Sequence, residues 1–421
     1  MDSNIIIIFS ILLFVISLIF TEIKFKSIFE LNILYSLLWI IVIIASKYNN
    51  LGLIRPRDNI YLIIFLSMLL INLMYLFLPF KNKNIIDYSR YKINEKRILV
   101  LNIIAYILFL PSIISAFKLL ITNGFDLVLV RNTVYVGITE SENAAIYSII
   151  FRTIPTAIFT FIELISSYYL IQNKNKKIII IGLFDMILGT LIYGGRNFIL
   201  YFALFCFFHY LNIPNKNRIK IKKRYFLYLI LLLFFITKNR DVNKISFIQT
   251  IILYYAGSLS FLEVIMRQPV TYGLNVHHYG LLSFGFITEP IILVLKTFFK
   301  FNIKVPSYYF NIYAQRFVNI GESIFILYNN NTTFLYPFAL DFGINYLLLG
   351  TIIYFSIILF TLSKKNKGNL SYYFIYIYIS STLLNSSVSY GLIGLSSSLI
   401  ILLTFLTIKK MPNGGENKWK K

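Results

Sequence analysis

The run NIIIIFSILLFVISLIF, Asn4–Phe20, decides the class of this protein. It carries no charge, and its only polar side chains are Asn4, Ser10 and Ser17. A helix needs roughly 20 apolar residues to cross about 30 Å of hydrocarbon. This run comes close, and runs like it recur to the far end of the chain. Asp2 is the one charged residue ahead of it, whereas a secretory signal opens on basic residues. The run therefore reads as a first membrane anchor with its amino end outside.

By the same measure, spans are expected near 4–20, 28–46, 59–80, 97–121, 146–171, 178–193, 197–213, 224–238, 340–362, 371–389 and 390–408. That makes an all-α integral membrane protein of about 11 transmembrane helices. Composition agrees. Apolar residues make up 58% of the 421, charged residues 14%, and the mean hydropathy is +0.73. A soluble chain is usually 45–50% apolar, and one of this length divides into two or more cores. Here the bilayer takes the place of the core, so residues 1–421 read as a single polytopic domain. Cys206 is the only cysteine, which excludes an intramolecular disulfide framework.

The formal charge of +23 points to lipid rather than nucleic acid, because of where the 40 basic residues lie. With the amino terminus outside, the expected inner loops and the tail hold 25 of them, and the short outer loops hold 5. That asymmetry fixes the orientation, with a cytosolic tail at 409–421 and anionic headgroups as partners of the basic loops. The segment 238–339 is a long external loop in this scheme. Its apolar stretches, Gln249–Met266 and Leu281–Phe299, are interrupted by Gly257, Ser258, Ser260, Glu263 and by Glu289-Pro290. They are expected to lie on, or dip into, the outer leaflet as interfacial or re-entrant helices.

The chain has no phosphate-binding glycine loop, no CxxC and no HExxH, and its only histidines are His209, His277 and His278. Neither a metal nor a cofactor is expected. What remains is a polar set at the outer face. Gly194-Gly195-Arg196 makes a tight turn that holds a guanidinium at headgroup depth, suited either to a diphosphate or to anchoring on lipid phosphate. Arg267, His277, His278, Arg316 and Glu322 follow in the long loop. Histidine serves as acid or base near neutral pH, and a desolvated glutamate can do the same. Asn331, Thr332 and Asp341 bring amide, hydroxyl and carboxylate groups suited to sugar hydroxyls, although Asp341 also reads as a helix N-cap. Within the spans, Glu163 and Asp185 need a partner or water, either as an ion relay or as hydrogen bonds between packed helices.

Three local patterns resemble the Wzy-type oligosaccharide repeat-unit polymerases of O-antigen and capsule. They are Gly194-Gly195-Arg196-Asn197-Phe198; Tyr254-Tyr255-Ala256-Gly257-Ser258-Leu259 with Tyr279-Gly280, Gly285 and Pro290; and Asn331-Thr332-Thr333 with Tyr336, Asp341-Phe342-Gly343 and Gly350. The resemblance implies a GT-C-like membrane glycosyltransferase of the cytoplasmic membrane. Such an enzyme transfers a growing glycan from undecaprenyl diphosphate onto the next lipid-linked unit at the outer face, without a metal. It implies Arg196, Arg267 and Arg316 on the diphosphate, His277, His278 or Glu322 as base, and Asn331, Thr332 and Asp341 on sugar. A flippase and a chain-length regulator are the partners it suggests. An O-antigen ligase, a peptidoglycan-type polymerase and a lipid-linked-oligosaccharide flippase are the other readings.

Overall fold

The computed structural model describes residues 2–79, 88, 90–122, 149–193, 195–214, 217–219, 247–301, 303–314, 316–322, 325–328 and 332–411. Among the described residues six helices are long and apolar enough to cross a membrane, which makes this a multi-pass helical membrane protein. The expected span 224–238 and the site residue Asn331 lie outside the described residues. The chain divides into two compact units, each assembled from separated segments.

The first unit comprises Met1–Asn84, Ile248–Asn366 and Thr382–Leu395. It opens with helices α1 (Ser3–Phe25), α2 (Leu31–Lys47) and α3 (Asp58–Leu76). Asp2 caps α1 by accepting from the backbone N of Asn4 at 3.0 Å. Lys24 closes the other end of the group, its Nζ donating to the carbonyls of Tyr75 and Leu76 at the foot of α3. Polar side chains hold the three helices together where lipid-like surfaces alone would slide. Asn32 donates to Thr21 at 3.0 Å and to Asn72 at 2.8 Å, and Asn72 donates to Ser36 at 2.9 Å. Each such bond between membrane helices is worth roughly 0.6–2 kcal/mol. An aromatic core continues the packing, with Tyr35 and Trp39 meeting Phe334 edge-on or tilted. Phe338 and Tyr390 lie 5.1 Å apart in the same core.

The rest of the unit contains α8 (Phe247–Arg267), α9 (Gly285–Phe299), α10 (Pro306–Ala314), α11 (Leu335–Phe342) and α12 (Leu347–Asn366). A two-stranded hairpin of β2 (Val318–Asn319) and β3 (Leu327–Tyr328) lies between α10 and α11. The stretch 249–266, expected to lie on or dip into the outer leaflet, belongs to a 21-residue helix that is long and apolar enough to cross. Its polar residues face inward: Ser258, Ser260 and Glu263 are fully buried. Gly257 lets Tyr328 approach so closely that a Cβ there would sit 2.8 Å from the ring. By contrast, α9 has 15 residues with Pro290 inside, about 22 Å of helix.

The expected span 340–362 is also broken. Gly343 (φ +79°) takes a left-handed conformation that ends α11, and the long helix α12 starts only after a 3-10 turn. The expected spans 371–389 and 390–408 are both present in shortened form, as helices α13 (Leu370–Leu384) and α14 (Leu395–Thr407). Between them Asn385–Ser389 leaves the helical path, and the carbonyl of Ser386 accepts from the backbone N of Phe334 at 2.8 Å.

The second unit comprises Ile85–Phe247, Lys367–Ser381 and Ser396–Lys421. It holds α4 (Glu95–Thr122), α5 (Ile154–Gln172, entered through a π-helical turn at Ile149–Thr153), α6 (Lys176–Tyr193) and α7 (Asn197–Asn212). Helices α5 and α6 form an antiparallel pair in very close contact, since a Cβ on Gly182 would fall 2.0 Å from the Ser166 Oγ. The start of the expected tail is structured. Strand β4 (Ile408–Lys410) pairs antiparallel with β1 (Tyr91–Ile93), matching Tyr91 to Lys410.

Candidate functional site

The site is built around one buried carboxylate. Glu263 stands on α8, one turn before Arg267, and has no exposed surface. The Arg267 Nε donates to Glu263 Oε1 at 2.6 Å, the i, i+4 geometry that places two side chains on one helix face. The Arg57 Nε, from the turn ahead of α3, donates to the same oxygen at 2.8 Å. The backbone N of Arg57 donates to Oε2 at 3.0 Å. Two guanidinium groups thus share one carboxylate and leave a net positive charge.

Exposure decides what this arrangement can do. The Arg57 and Arg267 side chains are 58% and 51% exposed, while Glu263 is 0% exposed. The acid sets the geometry from within, and both guanidinium groups are reachable from outside. Preorganised guanidinium groups of this kind suit a planar, two-point contact with phosphate oxygens.

The turns after Arg267 carry the other expected residues. Arg316 reaches over them, its Nε donating to the Ile312 carbonyl at 3.1 Å and its Nη1 to the Thr271 carbonyl at 3.4 Å. His277 is exposed, and its ring rests where a side chain on Gly343 would lie, 2.6 Å from that ideal Cβ. His278 is half-buried. Its backbone N donates to the Leu340 carbonyl at 3.1 Å, and its ring lies 4.2 Å from that of Tyr309. Burial pushes the His278 imidazole below its ordinary value. The Asp341 charge opposes this and that of His277 reinforces it.

Asp341 braces the turn ahead of α9. It sits in the last turn of α11, and its carboxylate accepts from the backbone N of Leu282 (3.0 Å), the backbone N of Ser283 (2.6 Å) and the Ser283 Oγ (2.6 Å). Those donors lie in the turn that enters α9. Burial raises the Asp341 carboxyl, while these donors and His278 work the other way. Asp341 is therefore not the N-cap expected of it, since it stands at the end of α11, and its carboxylate is fully buried rather than offered to a sugar. Thr332 is likewise buried, and the neighbouring Thr333 Oγ accepts from the Leu335 backbone N at 3.2 Å to start α11.

Glu322 differs from its expected role as a desolvated base, because its side chain stands exposed. Its backbone N donates to the Gly52 carbonyl at 2.7 Å, and the Ile54 backbone N donates to the Ile320 carbonyl at 2.8 Å. These bonds tie the 51–57 loop to the hairpin and so place Arg57. Arg267, Arg316, His277, His278 and Glu322 thus hang on one framework within the first unit. Arg196 belongs to the second unit, where it takes the N-cap position of α7 without a side-chain cap bond.

Sequence reasoning missed Arg57 and the anchoring role of Glu263. The Glu263–Arg267 spacing was a visible signal, whereas Arg57 lies 206 residues from its partner. Among the described residues, no group of three His, Cys, Asp or Glu side chains is placed to hold a metal ion.

Fold and site together define a multi-pass helical membrane protein with a half-exposed arginine pair set on a buried acid. Comparison with known proteins adds no relative: no family model, curated protein or solved structure matches the chain.

Proposed function

We propose that this protein polymerises lipid-diphosphate-linked oligosaccharide repeat units at the outer face of the cytoplasmic membrane. The observation that carries the reading is the Arg57–Glu263–Arg267 cluster. In the proposed reaction the acceptor's sugar hydroxyl attacks the anomeric carbon of the donor. The new glycosidic bond forms as the bond to the lipid diphosphate breaks. Charge builds on the departing diphosphate, and fixed guanidinium groups stabilise it there without needing to reorganise. His278, half-buried against Tyr309, takes the proton from the attacking hydroxyl. Arg316, on the same framework, adds positive charge.

The outer-face assignment is supported by the loop joining α2 to α3. Charge asymmetry assigns that loop outside, and the Arg57 contact puts the end of α8 on the same side. Arg196, at a turn between two apolar helices, reads as a contact for a lipid headgroup phosphate. The decisive experiment uses the purified full-length protein with lipid-linked repeat units and reads the glycan ladder. Ladder formation by the wild type and its loss in Arg57→Ala and Arg267→Ala support the reading. Transport of the substrate across a bilayer without any ladder would replace it with a flippase.

A further inference from the structure

The second unit contains a pair of acids that the proposed chemistry does not use. Ser166 of α5 and Gly182 of α6 mark the closest approach of two antiparallel helices. One turn before Ser166 is Glu163, and one turn after Gly182 is Asp185. Antiparallel register therefore brings the two carboxyl groups to the same level on facing sides. Both are fully buried, and they are close enough for their charges to act on each other.

Their hydrogen bonding is lopsided. Asp185 accepts from the Tyr106 hydroxyl of α4 at 2.7 Å. It also accepts from the Asn102 amide at 3.1 Å, in the amide orientation that satisfies both groups. Neither oxygen of Glu163 has a hydrogen-bond partner among the described residues. Among the described residues, the neighbouring elements offer no compensating cation close by. Cys206 of α7 lies near Glu163. His209, also on α7, has both nitrogens engaged, Nδ1 with the Tyr373 hydroxyl at 2.8 Å and Nε2 with the Leu164 carbonyl at 3.0 Å. Arg152, in the turn leading into α5, is about three helical turns from Glu163, and Lys176 and Lys177 are more than two turns from Asp185.

Two adjacent carboxylates inside a membrane protein cannot both stay charged without a counter-ion. A single proton resolves both problems. It removes one charge and turns Glu163 from an unpartnered acceptor into an O–H donor toward Asp185. We propose that Glu163 and Asp185 form a proton-binding site on the α5–α6 seam and hold one proton between them. The site is separate from the arginine cluster and does not depend on its function.

Infrared spectroscopy of the full-length protein in lipid nanodiscs at neutral pH tests this. The wild type should show a carboxylic-acid C=O band that shifts on exchange into deuterium oxide. Glu163→Gln should abolish that band. Asp185→Asn should displace it, because the partner of the acid changes. Spectra identical across the wild type and both variants would overturn the proposal. If Glu163→Gln does not fold, an undisplaced band in Asp185→Asn overturns it alone. Sodium chloride, set against choline chloride, separates the remaining alternative: loss of the band with a rise in melting temperature means a metal-cation site instead.

Discussion

The Nε atoms of Arg57 and Arg267 both lie within hydrogen-bond reach of Glu263 Oε1, at 2.8 and 2.6 Å, although the two arginines come from segments far apart in sequence. The carboxylate has no exposed surface while both cations do. Its service is to hold the cations still.

Arg267→Ala removes one fixed charge from the anion site, and activity should fall by about 10²–10³. Arg57→Ala should behave alike. Arg57→Lys keeps charge but not the planar fork, so chains should be fewer and shorter. Ladders read at matched membrane expression check this, and normal ladders from both alanine variants would remove the arginines from the mechanism.

Stability should respond to the pair rather than to either arginine. With one removed, the other still compensates Glu263. With both removed, the buried charge keeps only the backbone N–H of residue 57 and no cation, and loss of the partner charge typically costs about 3–5 kcal/mol. Melting of the detergent-solubilised double variant should therefore drop by more than the sum of the singles. Additive losses would mean that the arginines do not share the acid.

The acid limb of the pH–activity profile should lie below pH 6.5, the ordinary imidazole value, because burial lowers the pKa of His278. His278→Gln should remove most of the activity and that limb together. The same shift has a sign for folding. As pH falls, the unfolded chain takes up the proton first, so the stability His278 contributes is full above 6.5 and is lost as pH falls through its folded pKa. Asp341, raised above 3.8, works in the opposite sense: its contribution is present below 3.8 and is lost as pH rises through its folded pKa. A limb above 6.5 would assign the base elsewhere.

Gly343→Ala should destabilise the fold by roughly 1–3 kcal/mol, because φ +79° is strained for any side chain. It should also disturb His277, whose ring occupies the space of the new methyl. A thermal melt together with activity checks both effects, and an unchanged melt would contradict the left-handed joint.

Gly182→Ala should force α5 and α6 apart at a cost of roughly 1–3 kcal/mol. Adding Ser166→Gly should recover much of the loss, since the clash is with that side chain. Failure of the second change to rescue would place the contact elsewhere.

In a Cys206→Ala background, Arg55→Cys and Asn275→Cys should label together with an impermeant reagent, without permeabilisation. Both positions are exposed, and the Arg57–Glu263 contact puts their segments on one face. Labelling of one without the other would break the shared-face argument.

The apolar runs made the membrane class legible, because length against bilayer thickness is a local property of sequence. Helix breaks were harder to see. Gly343 and the Asn385–Ser389 segment interrupt apolar runs that hydropathy alone carries straight through. The site was only partly legible for a related reason. Arg267, Arg316 and His278 stood out by type and location, but Asp341 finds its donors 58 and 59 residues away. Such distant pairings leave no periodic trace in the chain. Glu263 illustrates the same limit from the other side: a polar residue in an apolar stretch reads as a surface until its partner is known.

The pairing of Tyr91–Ile93 with Ile408–Lys410 bears on how this protein is made. A ribosome delivers the second strand more than 300 residues after the first. Until then β1 has no partner, and the second unit cannot close. A chain stopped at Leu406 should enter the membrane with its helices in place and this unit left unlatched.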